Sequence, residues 1–323
     1  MPEQPAETRP VQSRFREPAP GMVTPRRNRV DLHTHTDRSD GVLAPEQLYA
    51  DMRAFGLRVA AIADHDTLAG YRQLRAAGLG ASASPEGPRL IPAVEINSIA
   101  DRRLIEMGVE LEEGELHILG FGFDPDDERL EDRLAAQRGS RKTRLLLIIE
   151  ALRRLGKPID DQIAPLLEAQ EALGRPHIAR AMVEAGHVAS VQQAFDEWID
   201  RNGPAYVPRQ GLATRDAIDA INAAGGICVL AHYPAAPEQP QLIDLLVEWG
   251  LRGLEVHYRR FLPETVGQMA VFASERGLVA TGGSDYHGDG MSYAEAQATT
   301  WVPDEIGEGL LEVLAVQAGR SSR

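Results

Sequence analysis

The chain predicts an α/β fold of the (β/α)-barrel kind, interrupted by a helical insertion. Three observations lead there. Short apolar runs of strand character alternate with helical stretches between Arg29 and Gly288. Most of these runs carry or end in histidine, aspartate or glutamate, and polar residues gathered at the carboxyl ends of parallel strands are how such barrels build a site. From about residue 126 to 209 no convincing strand occurs, and the segment reads as helices alone.

Residues 30–34 form the first strand. Side chains alternate faces along a strand, so His33 and His35 point the same way. Asp40 follows at a Ser-Asp-Gly turn. Residues 45–55 have helical spacing: Leu48, Met52 and Phe55 make the apolar stripe, Pro45 opens it and Gly56 ends it. Residues 57–63 are a buried strand running into Asp64-His65-Asp66, with Thr67 at a helix start. Residues 89–94 end in Glu95, and the strand at 115–121 carries His117. The insertion follows. A long amphipathic helix at 132–155 places Leu134, Leu145, Ile148, Ile149 and Leu152 on or near one face, and shorter helices lie at 178–184 and 191–199. Turn residues bound it, Asp124-Pro-Asp-Asp before and Asn202-Gly-Pro after. Beyond it, residues 227–231 end in His232, residues 253–258 carry Glu255 and His257, and residues 278–283 lead into Ser284-Asp285-Tyr286-His287. Helical stretches at 214–224, 242–249 and 264–275 separate these strands, which implies parallel pairing under covering helices. The expected division is a Pro-rich extension at 1–28, a barrel at 29–125 and 206–323, and a cap at 126–205.

At 323 residues the chain can bury a large α/β core with an inserted subdomain. Its net charge of −14 argues against a broad basic surface, so no long nucleic acid is expected as a partner. With one cysteine, Cys228, there is no intrachain disulfide, and a cytoplasmic location is expected. Cys228 lies in an apolar strand and reads as a core residue. The first 28 residues hold Pro2, Pro5, Pro10, Pro18, Pro20 and Pro25 and almost no apolar run, so they are expected to be disordered or loosely attached, with no signal peptide. No segment is apolar enough to span a membrane.

The histidines and carboxylates carry the chemistry. His33, His35, Asp40, His65, Glu95, His117, His232, Asp285 and His287 recur at one end of six strands, and independent surface histidines would not track strand ends in this way. Six imidazoles and three carboxylates exceed the three protein ligands of a catalytic zinc. They fit two or three ions if a carboxylate such as Glu95 bridges. A mixed nitrogen and oxygen set suits Mn²⁺, Fe²⁺ or Zn²⁺ rather than Ca²⁺ or Mg²⁺ alone, and the residues do not choose among these three; Mn²⁺ is taken as the expectation, with Fe²⁺ or Zn²⁺ as alternatives. Ions ~4 Å apart activate a water and hold the attacking and leaving oxygens of an in-line displacement, which suits phosphoester hydrolysis. No Gly-x-Ser-x-Gly elbow or Walker loop is present.

The ordered motifs Asp-Leu-His33-Thr-His35, Asp40-Gly, Asp64-His65-Asp66, Glu95, His117, Ala-His232 and Gly-Ser-Asp285-x-His287 resemble the PHP (polymerase and histidinol phosphatase) superfamily over roughly residues 29–288. The resemblance implies a distorted (β/α)7 barrel with a trinuclear centre. It implies one ion on His33, His35, Glu95 and Asp285, a second on Glu95, His117 and His232, and a third on Asp40, His65 and His287. A helical insertion after the Leu-His-Ile-Leu-Gly strand, with Gly174-Arg-Pro-His177 in it, is similar to the nucleotide phosphatase branch. That branch acts on nucleoside 3′,5′-bisphosphates, AMP or short 5′-phosphorylated RNA, trimmed from the 5′ end. Two features depart from the family, the Pro-rich extension and the polar spacer at 100–114.

The cap supplies candidates for binding the substrate, a small phosphate ester or nucleotide. Arg138 and Arg141 lie on the long helix. Arg175 and His177 flank Pro176 at a helix start, where backbone N–H groups favour anions. Lys142 and Arg144 read as a solvated basic face. His257 shares a strand face with Glu255 and is a further candidate, whereas His187 reads as a surface residue. Asp64 and Asp66 read as partners orienting His65, or as a helix cap. The function expected is a metal-dependent phosphatase of small monoesters, most of all nucleotides. The alternatives are a histidinol-phosphate phosphatase and a metal-binding module without activity. The complete ligand set and the lack of a polymerase domain argue against the latter.

Overall fold

The structure, a computed structural model, describes residues 28–82, 87–108, 111, 115–169, 172–288 and 290–321. The Pro-rich extension up to residue 27 lies outside the described residues. Asn28, counted with it above, is buried: its Nδ2 donates to Val30 O at 2.9 Å and to Gln297 Oε1 at 2.7 Å.

In chain order the first half consists of β1 (Val30–Asp31), α1 (Pro45–Phe55), β2 (Val59–Ile62), α2 (Ala69–Ala76), β3 (Arg89–Ile99), α3 (Arg102–Glu106) and β4 (Glu115–Phe121). The helical insertion is α4 (Glu128–Arg154), α5 (Asp160–Ala169), α6 (Arg175–Glu184) and α7 (Val191–Ala194), the last continued by a π turn at Phe195–Ile199. Then follow α8 (Thr214–Ala223), β5 (Ile227–Leu230), α9 (Pro240–Glu248), β6 (Leu251–Tyr258), α10 (Pro263–Glu275), β7 (Val279–Gly283), α11 (Tyr293–Thr299) and α12 (Asp304–Ser321). Helix α1 shows why the sequence signals work. Pro45 fixes the first turn, Leu48 and Met52 are buried, and Gly56 takes the left-handed φ of 91° that closes the helix.

The seven strands lie side by side in sequence order. β1 reaches β7 through Leu32 N–H to Gly282 O, at 3.1 Å, and a bridge between Thr34 and Tyr286, so the sheet nearly closes into a barrel. One expectation needs correction: β4 runs antiparallel to both neighbours, while the other pairs are parallel. Among the described residues the link from β3 to β4 holds the five-residue α3, and a parallel return needs a full crossover, usually a longer helix. β3 therefore does not stop at Glu95 but runs on to Ile99, pairing with Glu115 at the start of β4.

The reversal has two consequences. β4 begins at the rim where the other strands end, which brings His117 beside Glu95. β4 also ends at the opposite rim, so the chain must climb back. Helix α4 does this: 27 residues span about 40 Å. Its first half packs Leu130 and Leu134 into the core between sheet and outer helices. Its second half gives Leu145, Ile148, Ile149 and Leu152 to a separate core with Ile163, Ile178 and Met182. Each such side chain contributes roughly 1.5–3 kcal/mol when buried, so α4 is a spine shared by both cores.

A further core mixes small and large residues: Ala61 and Ala63 of the β2 segment, Ala93 of β3 and Ala231 cluster with Leu32, Leu119, Phe121 and Val229. Gly283 lets β7 approach β1, because a Cβ there would stand 2.5 Å from His33 N. Among the described residues no helix is long and apolar enough to cross a membrane.

Candidate metal centre and substrate pocket

His33 and His35 leave β1 on one face, as strand alternation requires, and both are fully buried. Asp31 lies beneath them. Its carboxylate accepts from His33 N, Ser284 N, Ser284 Oγ, Tyr293 Oη and Gln297 Nε2, which fixes the Ser284 turn carrying Asp285. Asp64 plays the same part for the next turn. It accepts from Thr36 N and Thr36 Oγ1 and from Ser39 Oγ, all at 2.7 Å, and so shapes the loop that presents Asp40. Among the described residues the non-glycine residues at positive φ are Asp66 (55°), His232 (29°) and Asp285 (48°). All three sit at this rim, where packing holds a backbone conformation that side chains disfavour.

The nine expected ligands converge. They form three groups whose ligand atoms lie within 4.8 Å of one another: His33, His35, Glu95 and Asp285; Glu95, His117 and His232; and His35, Asp40, His65 and His287. Glu95 joins the first two groups and His35 joins the first and third. Glu95 Oε2 stands 3.2 Å from His33 Nε2, 3.2 Å from His35 Nε2 and 3.1 Å from His65 Nδ1, while Oε1 faces His117 Nδ1 at 2.8 Å and His232 Nε2 at 3.1 Å. Asp285 Oδ1 lies 3.4 Å from His33 Nε2 and 3.2 Å from His35 Nε2. Asp40 Oδ1 lies 3.3 Å from His287 Nε2. Ligands about 2.0–2.1 Å from one ion stand at about this separation from each other.

Two observations test the fit to cations. First, His33 Nε2, both ring nitrogens of His35, His65 Nδ1, Asp40 Oδ1 and Asp285 Oδ1 are buried without a hydrogen-bond partner, a costly state that a coordinated ion relieves. His33 Nδ1 donates to Glu255 Oε1 at 3.0 Å, which leaves the Nε2 lone pair aimed at Glu95 and Asp285, the arrangement that orients a metal-ligating histidine. Second, burial raises the pKa of Asp40, Glu95 and Asp285, yet the surrounding imidazoles outweigh it and hold all three carboxyls well below their ordinary range. Burial lowers His33, but Glu255, Glu95 and Asp285 lift it well above its ordinary value. The cluster is built around positive charge.

Above this floor lies a cavity of about 560 Å³. Its roof is the insertion and the segment returning from it: Arg141, Arg144, Arg175 and Arg209, with Leu145, Ile148, Leu173 and Phe195 between them. Arg141 bonds Asp66 Oδ2 and, at 2.8 Å, Asn97 Oδ1. Arg209 bonds Glu115 Oε2 at 3.3 Å and Asp66 Oδ2 at 3.4 Å; burial, reinforced by Arg141, lowers its pKa to about 10. Arg175 reaches Asp200 at 3.2 Å and lies over the Phe195 ring, 5.4 Å from its centre.

The expected substrate contacts divide. Arg141 and Arg175 line the cavity. Arg138 does not: it donates to Asp66 O at 3.1 Å and to Glu131 Oε1 at 2.8 Å. Nor does His177, whose Nδ1 accepts from Gly174 N at 3.1 Å and caps α6; burial lowers its pKa to about 4. His257 is turned away because the β6–β7 register shifts between Glu255 and His257. Tyr258 takes the site position instead, donating to Asp285 Oδ2 at 3.0 Å. Arg144, read as solvated, is buried in the cavity wall, donating to Val207 O at 2.8 Å, whereas Lys142 is exposed. A signal for Arg144 existed, since Arg141, Arg144, Leu145 and Ile148 fall at i, i+3, i+4 and i+7 on one helical face. Arg209 and Arg260 of the wall had none; both lie outside the helices and strands, in a loop and a turn.

No protein-family model matches the chain. It is 34% identical over 286 residues to the 5′-3′ exoribonuclease Rnm of Salmonella typhimurium, spanning 84% of this chain and 89% of that one. Over 286 residues it is 28% identical to the 3′,5′-nucleoside bisphosphate phosphatase of Chromobacterium violaceum, spanning 85% and 92%. A solved structure described as a metal-dependent phosphoesterase of Bifidobacterium adolescentis superposes with a TM-score of 0.73 at 30% identity, covering 89% of this chain and 97% of that one. A structure from Chromobacterium violaceum, described as an amidohydrolase with bound sulfate and no metal, superposes with a TM-score of 0.75 at 26% identity, covering 90% and 96%. Identity of this extent, over a barrel rim that gathers all the expected histidines and carboxylates, shows that the chain belongs to the PHP superfamily of metal-dependent phosphoesterases.

Proposed function

We propose that the protein hydrolyses the 3′-phosphoester of a nucleotide that also carries a 5′-phosphate. The observation that carries this reading is the two-sided cavity, with a floor of imidazole and carboxylate donors and a roof of guanidinium groups. On this reading the nine floor residues hold two or three divalent ions, with Mn²⁺ the ion to test first. Bound there, the ions supply Lewis-acid chemistry, neutralising the phosphoryl oxygens and easing deprotonation of an attacking water.

The chain's own residues do the rest. Glu255 and Asp31 keep His33 and the Asp285 turn in place. Tyr258 steadies the outer oxygen of Asp285. The roof arginines bind the second phosphate through charge-assisted hydrogen bonds, with the planar bidentate geometry arginine offers. Phe195 and the aliphatic residues beside it cover the nucleoside and exclude water.

One pose accounts for the activities that the names of both relatives describe. A nucleoside 3′,5′-bisphosphate would lose phosphate at the floor. A short 5′-phosphorylated RNA would lose its first nucleotide at the same place, because its first 3′-phosphoester occupies the same position. The test is a product assay on Mn²⁺-loaded protein, with matched substrates bearing a 5′-phosphate or a 5′-hydroxyl. Faster turnover of the 5′-phosphorylated member is expected. Equal rates, or a preference for AMP or histidinol phosphate, would overturn the substrate assignment.

A further inference from the structure

The three ligand groups are not supported alike. His33, His117, His232 and the turn carrying Asp285 are braced by Glu255, Asp31, Asn97 and Tyr258 of the barrel strands. Asp40 and His65 belong to loops that the insertion holds from above. Arg180 of α6 donates from Nη2 to the backbone carbonyl of Asp40 at 2.8 Å. Arg138 of α4 donates to the backbone carbonyl of Asp66, next to His65, at 3.1 Å, and Arg141 bonds the Asp66 side chain. Asp66 is also held at positive φ, 55°. Neither Arg138 nor Arg180 lines the cavity.

We infer that the insertion completes the third ligand group: Arg180 and Arg138 are positioning residues that set ion affinity at His35, Asp40, His65 and His287, while the braces behind the other two groups are mostly the barrel's own, the insertion reaching them through Gln137 and Arg141 on Asn97. A carboxylate or imidazole binds an ion more tightly when its backbone is fixed before the ion arrives, and partners behind the ligands typically govern metal affinity by 10–100-fold. Seating the cap and filling the third group are then linked, and each favours the other by the same factor. The inference rests on the proposal that these residues are metal ligands.

The experiment is calorimetric titration of chelator-treated, full-length protein with Mn²⁺, alongside Arg180→Ala, Arg180→Lys and Arg138→Ala. Electron paramagnetic resonance of the loaded proteins reports magnetic coupling between neighbouring ions. Near-UV circular dichroism reports aromatic packing, that of Trp198 in the cap included. The wild type is expected to take up three ions. Arg180→Ala should keep two at unchanged affinity and bind the third about tenfold more weakly or worse, with Arg180→Lys recovering part of the loss. Arg138→Ala sits on the part of α4 anchored by Leu134 in the barrel core and serves if the α6 variant fails to fold. Unchanged uptake of three ions in both alanine variants overturns the inference, as does equal weakening of every ion. A wild type that saturates at two ions overturns it together with the third group; continued hydrolysis in that protein would leave the phosphoesterase reading standing.

Discussion

The floor and the roof of the cavity are built in opposite ways. The floor comes from strand ends. Its side chains are short, they sit at or just beyond strand ends, and Glu255, Asp31, Asp64 and Tyr258 stand buried behind several of them. The roof comes from helices of the insertion and from the loop after it. Its side chains are long arginines whose reach depends on how two separate cores dock through α4. Groups on strand ends are placed by neighbours close in the sheet, whereas the roof arginines are placed by the docking of the insertion and by the carboxylates they bond.

The largest expected effect breaks the floor. His33→Ala, Glu95→Ala and Asp285→Ala should each lower kcat/KM on the order of a thousandfold or more, with far-ultraviolet circular dichroism unchanged. Near-normal turnover in any of them, with metal bound, would remove that residue from the centre.

The next effect concerns the base of the roof. The folded-state pKa of His177 lies at about 4, below the ordinary 6.5. The unfolded chain therefore takes up the proton first. Stability is full above pH 6.5 and is lost as the pH falls toward 4, by about 3 kcal/mol at the limit. His177→Gln, which keeps an acceptor for Gly174 N–H, should flatten this dependence in thermal melts. An unchanged slope would assign the acid sensitivity to other groups.

A smaller effect separates recognition from chemistry. Arg175→Ala should cost roughly 2 kcal/mol, on the order of thirtyfold in kcat/KM, for a nucleoside 3′,5′-bisphosphate. With p-nitrophenyl phosphate, which carries no second phosphate, the change should stay within about twofold. Equal losses would mean that Arg175 only shapes the cap. At the bottom of the scale Lys142→Ala, on the exposed side of α4, should leave both rates within about twofold and stability within about 0.5 kcal/mol.

What the sequence determined by itself is the floor. His-x-His on a strand, histidines and carboxylates at strand ends and Gly-preceded Ser-Asp-x-His are local patterns, because strand alternation and tight turns are set by a few neighbouring residues. The three groups at the rim follow those patterns, and so do most helices, whose stripes, prolines and glycines are equally local. Tertiary structure alone decided the rest. The reversal of β4 depended on where a short link had to land. A one-residue slip between Glu255 and His257 exchanged His257 for Tyr258 in the site. Arg138 and His177 went to structural partners, while Arg144 and Arg209 turned inward, because an arginine or histidine on a helix or loop takes its role from whichever carbonyl or carboxylate the packing of distant segments brings within its reach.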